Sequence, residues 1–274
     1  MSLAFIYNVF DGCELLEASL KNAKNNNVDT NIVVYQDVSY YGKKINTYDI
    51  NEVISYLEKE KLIDKSIKYN PVTVCATNKE AKKIESHKYL LGLDYVKEKR
   101  IEYFAPRAID EFFIKEEFEH AFNVVKDNDY LRAFCPIQTY CDIDRKDVVS
   151  TDSVNSIVMY KTLYADDPEL GHFEKRYGRT IGIKGKYTEP QLYIDEVVKY
   201  GVRRDVFFDK INMHHYRLAR LELNTKLENS TIINRSGMSK QIKSIEALRS
   251  KAEKVENIFD IDIEKFKRLF LNKE

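Results

Sequence analysis

The chain has 274 residues, 43% hydrophobic and 32% charged, enough for one large α/β domain or one domain with a helical appendage. Lys plus Arg and Asp plus Glu each number 44, so the net charge is zero, which argues against a nucleic-acid binder. No apolar run is long enough for a membrane span, the opening MSLAFIYNVFDG lacks the basic n-region of a signal peptide, and Cys13, Cys75, Cys135 and Cys141 follow no zinc spacing; a cytoplasmic protein with reduced thiols is expected.

Leu3 to Val9 is a continuous apolar run of the length of a central parallel strand. Phe10-Asp11-Gly12 breaks it, and Glu14 to Lys24 predicts a helix with Leu15, Leu16, Ala18, Leu20 and Ala23 inward. Thr30 to Tyr35 is a second buried strand, ending in Gln36-Asp37, so the first thirty-five or so residues form a right-handed βαβ unit. Asn8, Asp11 and Asp37 would then end adjacent strands and face one crevice, where open sheets bind nucleotides. No GxGxxG is present, so a dinucleotide fold of the usual kind is not indicated.

Asn51 to Lys61 predicts a helix, Val72 to Ala76 a third strand, and Lys79 to Lys97 a long helix with Lys82, Lys83, His87 and Lys88 on its solvent or ligand side. Ile101 to Phe104 is a fourth strand that should end near Pro106, which cannot donate a ladder bond. Asp110 and Glu111 follow, bracketed by Ile109 and Phe112-Phe113. Carboxylates among apolar residues need an offset for their desolvation, and a divalent cation is one; acids capping the helix that follows are the plainer alternative. Ala133 to Tyr140 is expected as a strand with an edge or bulge at Pro136, and Asp142-Ile143-Asp144 as a solvated charged loop. Residues 152–205 read as loops over a site, residues 206–216 as a strand running into His214-His215, and 217–229 as a helix. Neighbours on a strand alternate faces, so one histidine at most can enter a shared site. Ser239 to Lys273 reads as helix, with Ile242, Ile245, Leu248 and Ala252 at helical spacing.

Three segments carry a family likeness: AIDEFF at Ala108–Phe113, MHHYRLAR at Met213–Arg220 and KLENS at Lys226–Ser230. In this order they resemble bacterial GT-A glycosyltransferases of the family-two type, whose acidic turn reads DVDEFF and whose later segments read MHHY.LVR and K..NS. The stretch KKIESHKYLLGL at Lys82–Leu93 is similar to a basic segment that precedes the acidic turn in such enzymes. The resemblance implies a GT-A α/β fold, a mixed sheet flanked by helices, over residues 1–235, with 236–274 as a helical extension packed on it. It implies transfer of a sugar from a nucleotide-diphosphate donor, UDP-linked, to a glycan or other surface-polysaccharide acceptor. Asn8, Asp11, Asp37 and Lys83 would bind the nucleotide. Asp110 carries over as the second aspartate of the metal-binding turn, with His214 or His215 as the later ligand of Mn²⁺ or Mg²⁺, and His214 is preferred. A general base would come from Glu189, Asp195 or Glu196, and Arg203, Arg204 or Lys186 could meet the diphosphate. The turn's first aspartate is Ala108 here, which puts metal binding in question. A non-catalytic nucleotide- or carbohydrate-binding protein is therefore the alternative, and a phosphohydrolase using Asp142, Asp144 and the histidines a more distant one.

Overall fold

A computed structural model describes residues 2–45, 47–70, 74–146, 152–162, 193–198, 201–216, 218–221, 223, 226, 246–247 and 249–271. The chain opens as predicted: strand β1 (Leu3–Val9), helix α1 (Leu16–Asn25) and strand β2 (Thr30–Tyr35), β1 and β2 parallel with Ala4 opposite Thr30. Helix α2 (Ile50–Lys59) starts where the Asp49 side chain accepts the Asn51 N–H. Helix α3 (Asn78–Glu98) starts on a capping box between Thr77 and Glu80. Strand β4 (Tyr103–Arg107) runs parallel to β1 on the side away from β2. It includes Pro106. Strand β8 (Asp152–Lys161) pairs with β4 only at Tyr103 and Phe104, so the edge beside Pro106 is open, and the Arg107 guanidinium donates there to the carbonyls of Ile157 and Val158 at 2.6 and 2.5 Å.

The third strand is not Val72–Ala76. Strand β3 is Lys65–Lys68, parallel to β2; Val74–Ala76 form no ladder, although the Cys75 N–H reaches the Tyr40 carbonyl, and 71–73 lie outside the described residues. β3 is an edge strand whose flanking lysines face water, so it lacks the apolar run that marks a buried strand.

After β4 come β5 (Glu111–Phe112), α4 (Lys115–Asp127) and the long strand β6 (Arg132–Asp142). The β6–β8 register shifts between Pro136 and Ile137, the bulge expected there. A turn through Ile143 and Asp144 leads to β7 (Arg145–Lys146), which pairs back on β6. Strands β9 (Tyr193–Val198) and β10 (Gly201–Phe207) form an antiparallel pair, and β11 (Met213–His215) lies between β5 and β6. Most of 217–229 lies outside the described residues.

Sequence periodicity reads 239–273 as helix-like; 239–245, 248 and 272–273 lie outside the described residues, and the described remainder is helical only in short pieces. Residues 246–247 and 249–251 are helical, strand β12 (Glu253–Lys254) pairs with β7, and Ile263–Phe266 forms a short α-helix, α5, running into a wide turn at Lys267–Leu271. This tail packs back by ring contacts Phe266–Tyr48 and Phe270–Tyr56 and by the ion pair Lys265–Glu17 at 2.5 Å.

Among the described residues the sheet runs β12-β7-β6-β8-β4-β1-β2-β3, mixed in direction, with β10 and β11 also on β6. Helices cover both faces, so β1 and β2 are buried apart from partly exposed Asn8 and Thr30, and their side chains alternate between two cores. Phe5, Tyr7 and Val33 meet α1, α2 and α4 on one side; Ala4, Ile6, Ile32 and Val34 meet Tyr89, Leu93 and Val96 of α3 on the other. Among the described residues no helix is long and apolar enough to cross a membrane.

Candidate functional site

The chain builds β2 and β3 to one side of β1 and then places β4 on the other. Between β1 and β4 the direction of winding reverses, and the crevice at the strands' carboxyl ends is where such sheets take ligands. Asp11 follows β1 and Asp110 follows β4, so both acids reach this crevice.

Asp110 is buried, with 1% of its side chain exposed. Its Oδ2 accepts from Arg220 Nη2 at 2.6 Å and from Lys226 Nζ at 2.7 Å. Its Oδ1 lies 3.4 Å from His215 Nε2, long for a hydrogen bond, and accepts none. Burial opposes ionisation of Asp110, but the positive charges of Arg220 and Lys226, with His215, outweigh it and hold the carboxyl well below its usual range. Burial, and then the charge of Arg220, bring the Lys226 ammonium down to about 8, against the pull of Asp110.

Arg220 joins the two sides of the crevice. Its Nη1 donates to the Asp11 carbonyl at 3.1 Å and lies 3.2 Å from the Asp11 carboxylate. The next residue, Leu221, gives its N–H to Glu14 Oε1 at 2.9 Å, and burial raises the Glu14 carboxyl. Space for the guanidinium comes from Gly12. A Cβ there would sit 1.9 Å from Arg220 Nη1, and the backbone at φ +73 is in the left-handed region that side chains disfavour. Main-chain pairing fixes the rest: the Tyr216 N–H donates to the Asp110 carbonyl at 2.8 Å, and His215 stands opposite Glu111 across β11 and β5. The Glu111 carboxylate, raised by burial against the pull of Arg107, accepts the Ala108 N–H at 3.2 Å.

The two histidines take opposite faces, as strand alternation requires. The preferred one differs: His215 stands beside Asp110, while His214 turns into an aromatic cluster. His214 Nδ1 is 2.8 Å from the Tyr140 hydroxyl and its ring meets Phe259, and burial lowers it to about 4. Which phase β11 takes is decided by its partners β5 and β6, which spacing within MHHY cannot reveal.

Of the expected nucleotide contacts, Asp11 belongs to this cluster. Asn8 instead donates to the Tyr40 hydroxyl at 3.1 Å, Asp37 pairs with Lys68 at 3.0 Å on the rim, and Lys83 is exposed on α3. Lys88, placed by periodicity on the solvent or ligand side of that helix, is wholly buried; it donates to the Val9 carbonyl at 3.2 Å, and burial brings it down to about 7. Close by in sequence to the rim, Gln36 is buried with neither amide atom bonded among the described residues. Glu189 and Lys186 lie outside the described residues, and Asp195 is placed by its backbone alone, opposite Arg203. Arg220 and Lys226 carry no role in the sequence reading, although they are the last residue of MHHYRLAR and the first of KLENS.

The expected Mn²⁺ or Mg²⁺ can be tested against this geometry. Asp110 Oδ1 and His215 Nε2 are spaced like two ligands of one ion. However, no group of three His, Cys, Asp or Glu able to hold an ion occurs among the described residues. The two acids Asp11 and Asp110 are already matched by two cations, Arg220 and Lys226. With Asp11 and Asp110 already paired and burial raising the Glu14 and Glu111 carboxyls, the described residues do not fit a dication.

No family model and no curated protein matches this chain. Among solved structures, TarS of S. aureus, residues 1–349, in complex with UDP is similar at 9% identity and a TM-score of 0.47, over 89% of this chain and 70% of that one. The same protein with UDP-GlcNAc gives 10% identity and a TM-score of 0.45, over 94% and 68%. A further TarS structure gives 8% identity and a TM-score of 0.46, with 98% of this chain covering 45% of that one.

Proposed function

We propose that this chain is a glycosyltransferase that moves a sugar from a nucleoside-diphosphate donor, UDP-linked, to a glycan or other surface-polysaccharide acceptor. The observation that carries this reading is Arg220 bridging Asp11 and Asp110 where β1 and β4 part. A diphosphate needs fixed donors and positive charge at the carboxyl ends of parallel strands, and this crevice supplies both. The residues concerned, Asp110, His215, Arg220 and Lys226, are those through which the chain resembles GT-A enzymes of the family-two type.

In such a transfer the bond from sugar C1 to the β-phosphate oxygen breaks and its electron pair stays with the diphosphate. The acceptor oxygen bonds C1 and gives its proton to a carboxylate base. The chain's cations would hold the diphosphate before the step and meet the charge that grows on it during the step. A second reading, a nucleotide- or carbohydrate-binding protein that does not catalyse, is favoured by Ala108, which removes one acid from the turn.

Calorimetric titration with UDP, followed by UDP-sugar turnover with and without oligosaccharide acceptors, tests the first reading. UDP binding together with release of UDP from a UDP-sugar supports it. Binding without turnover of any sugar tried selects the second reading. No binding of UDP or of other nucleoside diphosphates, with or without Mn²⁺ or Mg²⁺, refutes both.

A further inference from the structure

The cations on Asp110 have a consequence for how the donor is held, resting on the transferase reading above. We propose that Arg220 and Lys226, fixed by Asp110, stand in for the divalent ion, so that the chain binds a nucleoside diphosphate without a metal. Asp110 is then a positioning residue: it orients two cations instead of ligating an ion.

Four observations converge on this. Both cations meet one carboxylate oxygen, at 2.6 and 2.7 Å, so their geometry is set before any ligand arrives. Arg220 is built in, because Gly12 leaves the space its guanidinium occupies and Asp11 holds its other end. Ala108 stands where the resembling enzymes carry the acid that would make the turn attractive to a dication. Finally, exposure sorts the roles. Lys226 keeps 23% of its side chain exposed and His215 keeps 19%, against 6% for Arg220. On this proposal the two partly exposed side chains, Lys226 and His215, meet the ligand, and the guanidinium supplies its field from behind.

The chemistry suits a diphosphate over a single carboxylate ligand. A diphosphate has several oxygens that can share the ammonium and imidazole donors, and during transfer it gains the electron pair of the broken C1–O bond. Fixed cations cost little reorganisation when that charge appears. Monodentate Lys–phosphate pairing also tolerates the small shift of the ammonium from Asp110 towards the ligand.

The test is calorimetry on the full chain with UDP and, separately, inorganic pyrophosphate, each in EDTA and in Mn²⁺. UDP affinity in EDTA should lie within about threefold of that in Mn²⁺. Losing a charge-assisted contact weakens binding roughly 10- to 100-fold, so Lys226→Met should do so in EDTA, and Lys226→Arg should recover most of the loss. Ala108→Asp adds a negative charge beside the cluster and should weaken binding in EDTA. Electron paramagnetic resonance of Mn²⁺ should show no additional ion taken up by wild-type chain and UDP together. The wild-type comparison needs no variant to fold. UDP binding that appears only with Mn²⁺ or Mg²⁺, or UDP-dependent Mn²⁺ uptake, overturns the proposal while leaving the transferase reading standing. Unchanged affinity in folded Lys226→Met overturns it as well. No binding under either condition removes the transferase reading, and this inference with it.

Discussion

Replacing Gly12 by Ala should damage the site through Arg220, and a second glycine separates that effect from backbone strain. Gly12 and Gly42 both lie in the left-handed region, at φ +73 and +79. Each Ala substitution therefore costs about 1–2 kcal/mol in backbone energy. At Gly42 the nearest atoms belong to Val74, 3.1 Å away and itself exposed, so they can yield. At Gly12 the new Cβ would lie 1.9 Å from Arg220 Nη1 and 2.6 Å from its Cζ. That guanidinium is buried and tied to Asp11 and Asp110, so it cannot swing out without leaving Asp110 short of one partner. Breaking a buried pair costs about 3–5 kcal/mol, and Lys226 on the same oxygen should hold the loss to the lower end. Gly12→Ala should thus be about 3 kcal/mol less stable than Gly42→Ala. Urea unfolding of the two variants side by side measures the difference, and UDP titration should find the affinity of Gly12→Ala reduced and that of Gly42→Ala unchanged. Equal stability and equal affinity in the two variants would refute the packing of Arg220 against Gly12.

Lys88 gives a pH-dependent test. Its folded value, about 7, lies below its ordinary 10.5, so the unfolded chain binds its proton more readily between those limits and wild-type stability rises with pH across that window. Lys88→Met should be the more stable protein at pH 7, with its advantage shrinking by about 2 kcal/mol by pH 9; a gap that stays constant in urea titrations at the two pH values would contradict the burial of a chargeable amine. Arg107→Lys should destabilise by about 2–4 kcal/mol in thermal or urea unfolding, because an ammonium cannot donate at once to Ile157 and Val158 while stacking between Phe5 and Phe113. His214→Ala should lower the melting temperature with little change in UDP affinity, since it opens a space among Tyr140, Phe259 and Phe112, whereas His215→Ala should do the reverse; matching effects on both readouts would refute the division of faces.

The strands and helices that the sequence reveals are those whose burial is local and complete. β1 and β2 show as unbroken apolar runs because helices cover both their faces, and α3 shows through its length, its capping box at Thr77 and Glu80 being seen only in the structure. β3 is missed because an edge strand faces water and carries lysines, while Val74–Ala76, strand-like in residue type, form no ladder beyond the single Cys75 N–H bond to Tyr40. The tail is helical in part, at 246–247, 249–251 and 263–266, and what its periodicity does not show is β12, which pairs with the edge of β7. In the site, Asp110 and the histidines stand out as residue types, and alternation rightly limits the pair to one. The choice between His214 and His215 depends on β5, two residues long and about a hundred residues away in sequence. Arg220 and Lys226 look like ordinary charges on a polar stretch until the fold brings them to one carboxylate.

That carboxylate also explains why the site should hold its shape without a ligand. Left alone, a buried Asp110 would be costly to ionise, and a buried Arg220 would keep only Asp11 as a counter-charge. Together they neutralise each other, and the same contacts tie the end of β1, the turn after β4 and the segment after β11 into one unit. Deleting either charge leaves its partner buried with one counter-charge fewer, Lys226 for Asp110 or Asp11 for Arg220 remaining, so folding itself favours keeping both in place. On the proposed reading, Lys226 and His215 would turn to an arriving diphosphate while Arg220 keeps Asp110 neutralised from behind. Affinity then depends on cations already oriented and partly desolvated, which is the condition under which a charge-assisted contact costs least to form.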